Sequence, residues 1–375
     1  MPNKPIKRDA RTSGALPQPS HARPLSAALC AVEETGMGSI IFAPGTLADG
    51  LSETAGYKAG LALSIEELCD HLSGTDYPDL IIDSEADPVR LRAEDYEALF
   101  YKLLYRIGYT TDEYDGDYVG AKRFHKYRQT GQLDIFHGVL EIYNNICMDL
   151  INKTAAEGKK SIDPTPFLLQ CHEKYGEAGL RMAMEQIEVL NRAITLSPHS
   201  IGRATEWEDE IELKKLFDGS SDTPKNGRFI DQRFIDYLSN NHNRLPEMHW
   251  RKFEELAAEF FHREGFRVEL GPGRNDDGVD VRVWVPDSEP TDKPLCLVQC
   301  KRQKSKIEKV VIKGLYADVQ YEGAEYGVLA TTSELSPGAR TTIQSRGYPI
   351  QEIEGKALRK WLTTLRTPGT GIVRV

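Results

Sequence analysis

The sequence predicts an α/β (α+β) chain in two parts, a mainly α-helical N-terminal region followed by a C-terminal domain that carries most of the strands. Three observations lead there. Apolar residues recur at helical spacing from Ala93 to Phe217, and a polar, glycine-rich run from Asp218 to Gly227 then interrupts the pattern. Beyond it, Val279 to Val285 alternates as a strand does, and Leu295 to Lys301 reads as its partner. At 375 residues the chain is long enough for two or more domains. The boundaries that follow are a disordered tail at 1–25, a mainly helical domain at 26–217, a linker and connecting helix at 218–245, and a last domain at 246–375.

The tail is basic and proline-rich without a hydrophobic segment, so it does not read as a secretory signal. Short strands are expected at Ser39–Phe42 and Leu80–Asp83, with a helix at Ser64–Leu72 between them. Helices are expected from Ala93 to Gly108, over Leu133–Lys153, from Asp163-Pro164 into a periodic run at Gly176–Thr195, and over Glu206–Phe217. A helix at Phe229–Leu238 leads into the last domain. There a helix at Met248–Arg263 precedes a strand at Phe266–Leu270, a polar turn at Gly271–Gly278 and the two strands named above. The chain shows no internal repeat and no nucleotide-binding glycine loop.

No apolar run approaches the ~20 residues that span a bilayer. The six cysteines are scattered without C-x-x-C pairs, which points to buried thiols and a reducing, cytoplasmic location. A net charge of −10 argues against a protein that coats nucleic acid without specificity. The charge is uneven. Residues 246–375 hold 20 Lys+Arg against 19 Asp+Glu, net +1, which leaves 27 against 38, net −11, for residues 1–245. Within the last domain Lys301, Arg302, Lys304, Lys306, Lys309 and Lys313 are crowded together, which suits contact with a DNA backbone. A second basic and aromatic cluster, Lys122 to Arg128, is expected to be an amphipathic helix with Phe124 and Tyr127 packed inward and its basic residues in water.

The chemistry-bearing residues sit in the last domain. On the Met248–Arg263 helix, Trp250, Phe253, Leu256, Ala257, Phe260 and Phe261 form one apolar stripe. Glu254 falls at the edge of that stripe and is expected to face the domain, whereas Glu255 points to solvent with Arg251, Glu259 and His262. On the first strand Asp280, Arg282 and Trp284 share one face and the valines the other; on the second, Leu295, Leu297, Gln299 and Lys301 share a face. Asp280 can then sit opposite Gln299 and Lys301, with Glu254 reaching in from the helix. Such a set suits a divalent cation acting on a phosphodiester: Asp280, Glu254 and the Cys300 backbone carbonyl as hard oxygen ligands, and Lys301 to orient water or offset charge. Asp276 and Asp277 are expected to cap the turn.

These residues carry a resemblance. Trp250-x-x-Phe253-Glu254, Gly265-Phe266, Asp277-Gly278-Val279-Asp280-Val281, Val298-Gln299-Cys300-Lys301-Arg302, Tyr326 to Ser333 and Ile350-x-x-Ile353-Glu354-Gly355-x-x-Leu358 together resemble the Mrr-like restriction endonuclease catalytic domain. That domain is a branch of the PD-(D/E)xK nucleases with Gln in place of the acid. The resemblance covers about residues 246–365. It implies a restriction-endonuclease-like mixed sheet flanked by helices, metal-dependent DNA cleavage with Mg²⁺ (Mn²⁺ as a substitute), and an active site of Glu254, Asp280, Gln299 and Lys301. The expectation is a Mg²⁺-dependent DNA endonuclease of restriction or anti-phage defence. It would act on DNA as a homodimer away from membranes, with the N-terminal domain recognising a site, a signal or a defence partner. Two alternatives stand beside it: a non-catalytic nucleic-acid-binding or signalling module on the same fold, and a structure-specific repair or recombination nuclease.

Overall fold

The computed structural model describes residues 38–113, 119–156, 162–219, 223–273, 278–289 and 292–366. The expected tail, Cys30, and Arg274 to Asp277 with both turn aspartates lie outside them. The chain divides into two compact units, one built around residues 123–187 and one from residues 39–122 together with 188–375. The expected boundaries at 217 and 245 therefore both fall inside the second unit.

The first unit is helical. It takes in most of the helix Val119–Gln129, the helix Leu133–Ala156 and the first part of Thr165–Leu196, which Gly176 interrupts with φ 59°. The Lys122–Arg128 cluster packs differently from expectation. Tyr127 is buried, as predicted, but so is Arg123, which donates to Gln186 and lies 3.6 Å from Glu185. Tyr127 also donates to Glu185, and Lys126 donates to the same carboxylate at 3.0 Å. One half-buried acid, Glu185, thus draws a basic residue inward.

In the second unit β1 (Ser39–Phe42) pairs antiparallel with β3 (Val89–Arg92), and β2 (Leu61–Ala62) pairs parallel with β4 (Ile211–Glu212). Helices at Thr46–Ala59, Ile65–His71, Tyr77–Asp83 and Ala93–Arg106 surround them. Ser64 caps the second with a capping box closed by Glu67. The strand expected at Leu80–Asp83 is instead the end of a helix. Pro78 in its first turn presets a helical φ, and Ile81 is buried while Ile82 is exposed. The helix expected over Glu206–Phe217 is only Leu213–Phe217, because Ile211 and Glu212 pair with β2.

The C-terminal part holds a five-stranded mixed sheet in the order β5 (Arg267–Leu270), β6 (Val281–Trp284), β7 (Cys296–Lys301), β8 (Tyr326–Thr331), β9 (Ile350–Ile353). The first three strands are antiparallel, and β7, β8 and β9 run parallel through the helices Lys309–Glu322 and Pro337–Arg346. Val281, Val283, Val298 and Cys300 pack in the cluster of Phe253 and Leu256 of the Trp250–Arg263 helix. Leu297 and Leu329 pack in that of Ile312, Leu315 and Ala339. The sheet is covered on both faces, as parallel strands require. Val279 joins the second cluster, apart from Val281 and Val283, so the expected alternation begins only at Val281.

The first cluster does not stop at the sheet. Leu47, Phe100 and Leu104 from the chain's first third belong to it, as do Ile230, Phe234 and Leu238 from the expected linker and connecting helix. The C-terminal helix Gly355–Arg366 closes it. Trp361 stacks on Phe260 at 4.3 Å, and Arg366 donates to the Gly108 carbonyl and, at 2.7 Å, to Asn240 Oδ1.

Candidate active site

The helix Trp250–Arg263 starts where His249 caps it, Nδ1 accepting from Arg251 N at 3.2 Å. Its apolar stripe lies on the sheet and carries Glu254 inward with it, only 5% exposed. The rest of the helix is less exposed than its sequence pattern implies. Glu259, expected in solvent, is buried, its carboxylate accepting from Arg228 N at 2.9 Å, Phe229 N at 2.7 Å and Arg263. Glu255, expected in solvent too, is half-buried 3.1 Å from Lys252. The segment before the helix covers its outer face, and that cover is not written in the helix's own periodicity.

Asp280 precedes β6. Its backbone continues the ladder, N donating to Val298 O at 3.0 Å, and its side chain then takes the next rung, Oδ2 accepting from Cys300 N at 2.6 Å. Gln299 ties the strands in the other direction, Nε2 donating to Gly278 O at 2.7 Å. Gly278 stands at φ +91°, a conformation open to glycine at little cost. The two cross-ties hold Asp280 and Gln299, 6% and 7% exposed, at the place where β6 begins and β7 runs on. The Gln299 Oε1 oxygen is buried with no hydrogen-bond partner among the described residues.

Glu254 meets Asp280 in this space. Burial, reinforced by the Asp280 charge and a hydrogen bond shared with it, pushes the Glu254 carboxyl up to about 8 against the pull of Arg251. Burial and the neighbouring Asp280 charge thus both favour the protonated form of Glu254. Cys300, fully buried beside both acids, has its thiol pushed well up, first by burial and then by those charges. Lys301 is half-buried at the end of β7, and its ammonium has no ion-pair partner among the described residues.

Arg251 belongs to this site and was not singled out from the sequence. Its Nη1 donates to Glu254 Oε2 at 2.9 Å and to Gly271 O at 2.8 Å. The three-residue spacing to Glu254 was the available signal. Of the basic residues expected at DNA, Lys304, Lys309 and Lys313 are exposed without an ion pair among the described residues. Arg302 donates to Pro246 O at 3.0 Å, and Lys306 lies 3.4 Å from Glu334.

Two buried carboxyl groups beside an amide oxygen without a partner among the described residues are hard oxygen donors of the kind a small divalent cation takes. No cluster of three His, Cys, Asp or Glu side chains able to hold a metal occurs among the described residues, so any such site draws on neutral oxygens as well. The Mrr catalytic family model, described as restriction endonuclease, matches residues 245–362. Over these residues the chain is similar to the Mrr-type restriction endonuclease domain. Solved structures similar to the chain include the DNA modification-dependent restriction endonuclease AspBHI, 20% identical over 36% of this chain and 35% of its own, with a TM-score of 0.25. They also include the MspJI restriction endonuclease in complex with a 27-mer oligonucleotide, 19% identical over 52% and 42%, with a TM-score of 0.27. The chain thus covers well under two thirds of either relative. No curated protein matches it. The Mrr domain contains every sheet strand from β5 to β9 and all four expected site residues.

Proposed function

We propose that this chain is a Mg²⁺-dependent DNA endonuclease of a restriction or anti-phage defence system, with Glu254, Asp280, Gln299 and Lys301 as its active site. One observation carries the reading: two buried acids, Glu254 and Asp280, lie together beside an orphaned amide oxygen, where β6 begins and β7 runs on. Inside an endonuclease domain, that is an expensive arrangement to keep unless something positive is to enter it.

Asp280 and Glu254 would hold the cation, with Gln299 Oε1 and the Cys300 carbonyl as neutral donors; in an extended strand that carbonyl lies on the same edge as the Cys300 N–H that Asp280 engages. A Mg²⁺ ion bound there supplies a lowered pKa for water and a Lewis acid for the phosphate. Mn²⁺ would substitute. The chain does the rest. Glu254, with its proton released to solvent, would be the second anionic donor. Asp280 stays fixed by the Cys300 N–H, and Gln299 is held at the correct depth by its bond to Gly278. Lys301 offsets the charge that builds on the phosphate as water attacks and the P–O bond breaks. Exposed Lys304 and Lys309 meet the DNA backbone, and the N-terminal region selects the target or receives a partner.

Plasmid and phage DNA incubated with the full chain and Mg²⁺ should be nicked or cut, and chelation should stop it. Asp280→Ala and Lys301→Ala should each abolish cleavage, and Asp280→Ala should also abolish Ca²⁺ binding by calorimetry, which needs no turnover. Full cleavage by either variant sinks the assignment. So does a protein that shifts DNA in a gel yet never cuts it with any divalent metal.

A further inference from the structure

The segment that covers the outer face of the helix Trp250–Arg263 leaves a cavity of about 480 Å³ beside it. Small-molecule sites span roughly 300–1,000 Å³. β4, the short helix Leu213–Phe217 and the stretch from Thr223 to Arg233 wall the cavity, and Lys252 lines it from the covered helix. Lys252 is the informative member. It is 7% exposed, yet its ammonium makes no hydrogen bond among the described residues, only an ion pair with Glu255 at 3.1 Å. A buried cation with donors to spare is costly until an anion meets it.

The other buried charges of the cavity satisfy each other. Asp231 Oδ1 accepts from Arg233 Nε at 2.9 Å, and its Oδ2 from Arg233 Nη2 at 2.8 Å. Lys215 and Lys225 hold only solvent-facing carboxylates, Glu212 at 3.1 Å and Glu208 at 3.3 Å, and such pairs contribute little. All three lysines are thus free to exchange for a better anion, and a phosphate carries more charge and more acceptor oxygens than a carboxylate. Beside them Glu210 is exposed without an ion pair among the described residues, and Ile211, Leu216 and Pro224 add apolar surface. We propose that this cavity binds a phosphorylated small molecule of nucleotide type. Its phosphate meets Lys252, Lys215 and Lys225, its hydroxyls donate to Glu210, and its ring lies against the apolar residues.

The cavity reaches the acid pair through shared partners. Glu255 stands between Lys252 and Arg251, whose Nε is 4.0 Å from it, while Arg251 Nη1 donates to Glu254. An anion that draws Lys252 away leaves Glu255 to Arg251, which loosens the hold of Arg251 on Glu254. The ligand should therefore strengthen cation binding, and by linkage the cation should strengthen ligand binding by the same factor. This transmission rests on the proposed cation site; binding in the cavity does not.

The probes are the four ribonucleoside monophosphates, their nucleosides and inorganic phosphate, each titrated by calorimetry into the full chain in chelator. At least one monophosphate should bind, roughly tenfold or more tighter than its nucleoside or inorganic phosphate. Lys252→Met, which keeps the stem and removes the charge, should weaken it by roughly tenfold or more. Lys215→Gln combined with Lys225→Gln, at the solvent edge where folding is undisturbed, should weaken it several-fold, and exposed Lys360→Gln should not. A chain that takes up no monophosphate overturns the proposal, as does undiminished binding by Lys252→Met or by the double variant. Inorganic phosphate bound as tightly as any monophosphate overturns the nucleotide assignment. Ca²⁺ affinity should rise several-fold with the monophosphate bound in wild type but not in Glu255→Gln, and an unchanged wild-type value overturns the transmission. A chain that binds monophosphate but no Ca²⁺ overturns the cation site and the transmission with it, and leaves the cavity's assignment standing.

Discussion

Asp280 Oδ2 accepts the Cys300 N–H at 2.6 Å, so a side chain occupies the rung that the neighbouring strand's backbone would otherwise fill. The carboxylate has two separable roles here, an acceptor for a buried donor and a charge. Asp280→Asn keeps the acceptor and removes the charge that helps to push the Glu254 carboxyl up. It should be at least as stable as wild type in urea while losing cleavage by roughly 100-fold or more. Asp280→Ala strands the Cys300 N–H and should be about 1–3 kcal/mol less stable than Asp280→Asn. Equal stability of the two variants would show that the hydrogen bond contributes nothing.

Glu254 binds its proton more tightly folded than unfolded, near pH 8 against an ordinary 4.5. Between those values the folded chain holds a proton the unfolded chain has released. Stability in chelator should therefore be full below the ordinary value, fall as pH rises through the window, and level off above about pH 8. Asp236, pushed up by burial to about 6, adds a second slope at the acid end. Melting temperatures measured for wild type and Glu254→Gln isolate the first: the variant should lose the decline on the alkaline side of Asp236's titration. A wild type whose melting temperature is flat there would contradict the buried acid pair.

A cation bound by the folded chain alone should raise the melting temperature, by about 2.7 kcal/mol of stability at a hundredfold excess over Kd. Ca²⁺ serves for this as well as Mg²⁺, and Asp280→Ala should abolish the shift. Gln299→Glu adds a third carboxylate where Oε1 now lacks a partner. It should be less stable than wild type in chelator and gain more from Ca²⁺. A smaller gain than wild type would place Gln299 outside the cation's reach.

Two glycines should respond to alanine with opposite signs. At Gly278 the added methyl must adopt φ +91° and lies 3.0 Å from Gln299 Nε2, so Gly278→Ala should cost about 1–2 kcal/mol and reduce cleavage. At Gly314 the added methyl meets open space in a regular helix, so Gly314→Ala should stabilise the protein by about 0.5–1 kcal/mol. Chemical denaturation of both variants decides it.

The C-terminal sheet was readable because its elements carry apolar patterns of their own. The stripe on Trp250–Arg263 put Glu254 inward, and β7 lies within a residue of where its apolar run set it, while β8 and β9 fall on segments that only the family resemblance marked. Reading failed where a second surface arrives from far along the chain. Glu259 is buried by Arg228 and Phe229, and Ile211 is a strand residue because of Leu61. Leu80 to Asp83 failed for a local reason, since a short apolar run fits strand and helix alike and only Pro78 separates them. Arg251 was hidden by the same helical wheel that found Glu254, because a long side chain on the outer face can still reach round to an inner acid.

The Arg366 guanidinium, four residues past the end of the endonuclease family match, grips the Gly108 carbonyl and Asn240, both upstream of it. The stretch that matches the family is thus shorter than the stretch that shares one hydrophobic cluster. A gene fragment cut at the family boundary would leave Phe253, Leu256 and Trp361 without Leu104, Phe234 and Leu238 to lie against. For anyone grafting the matched segment onto another module, the transferable cassette should include the chain's early helices, and the graft point belongs elsewhere than at residue 245.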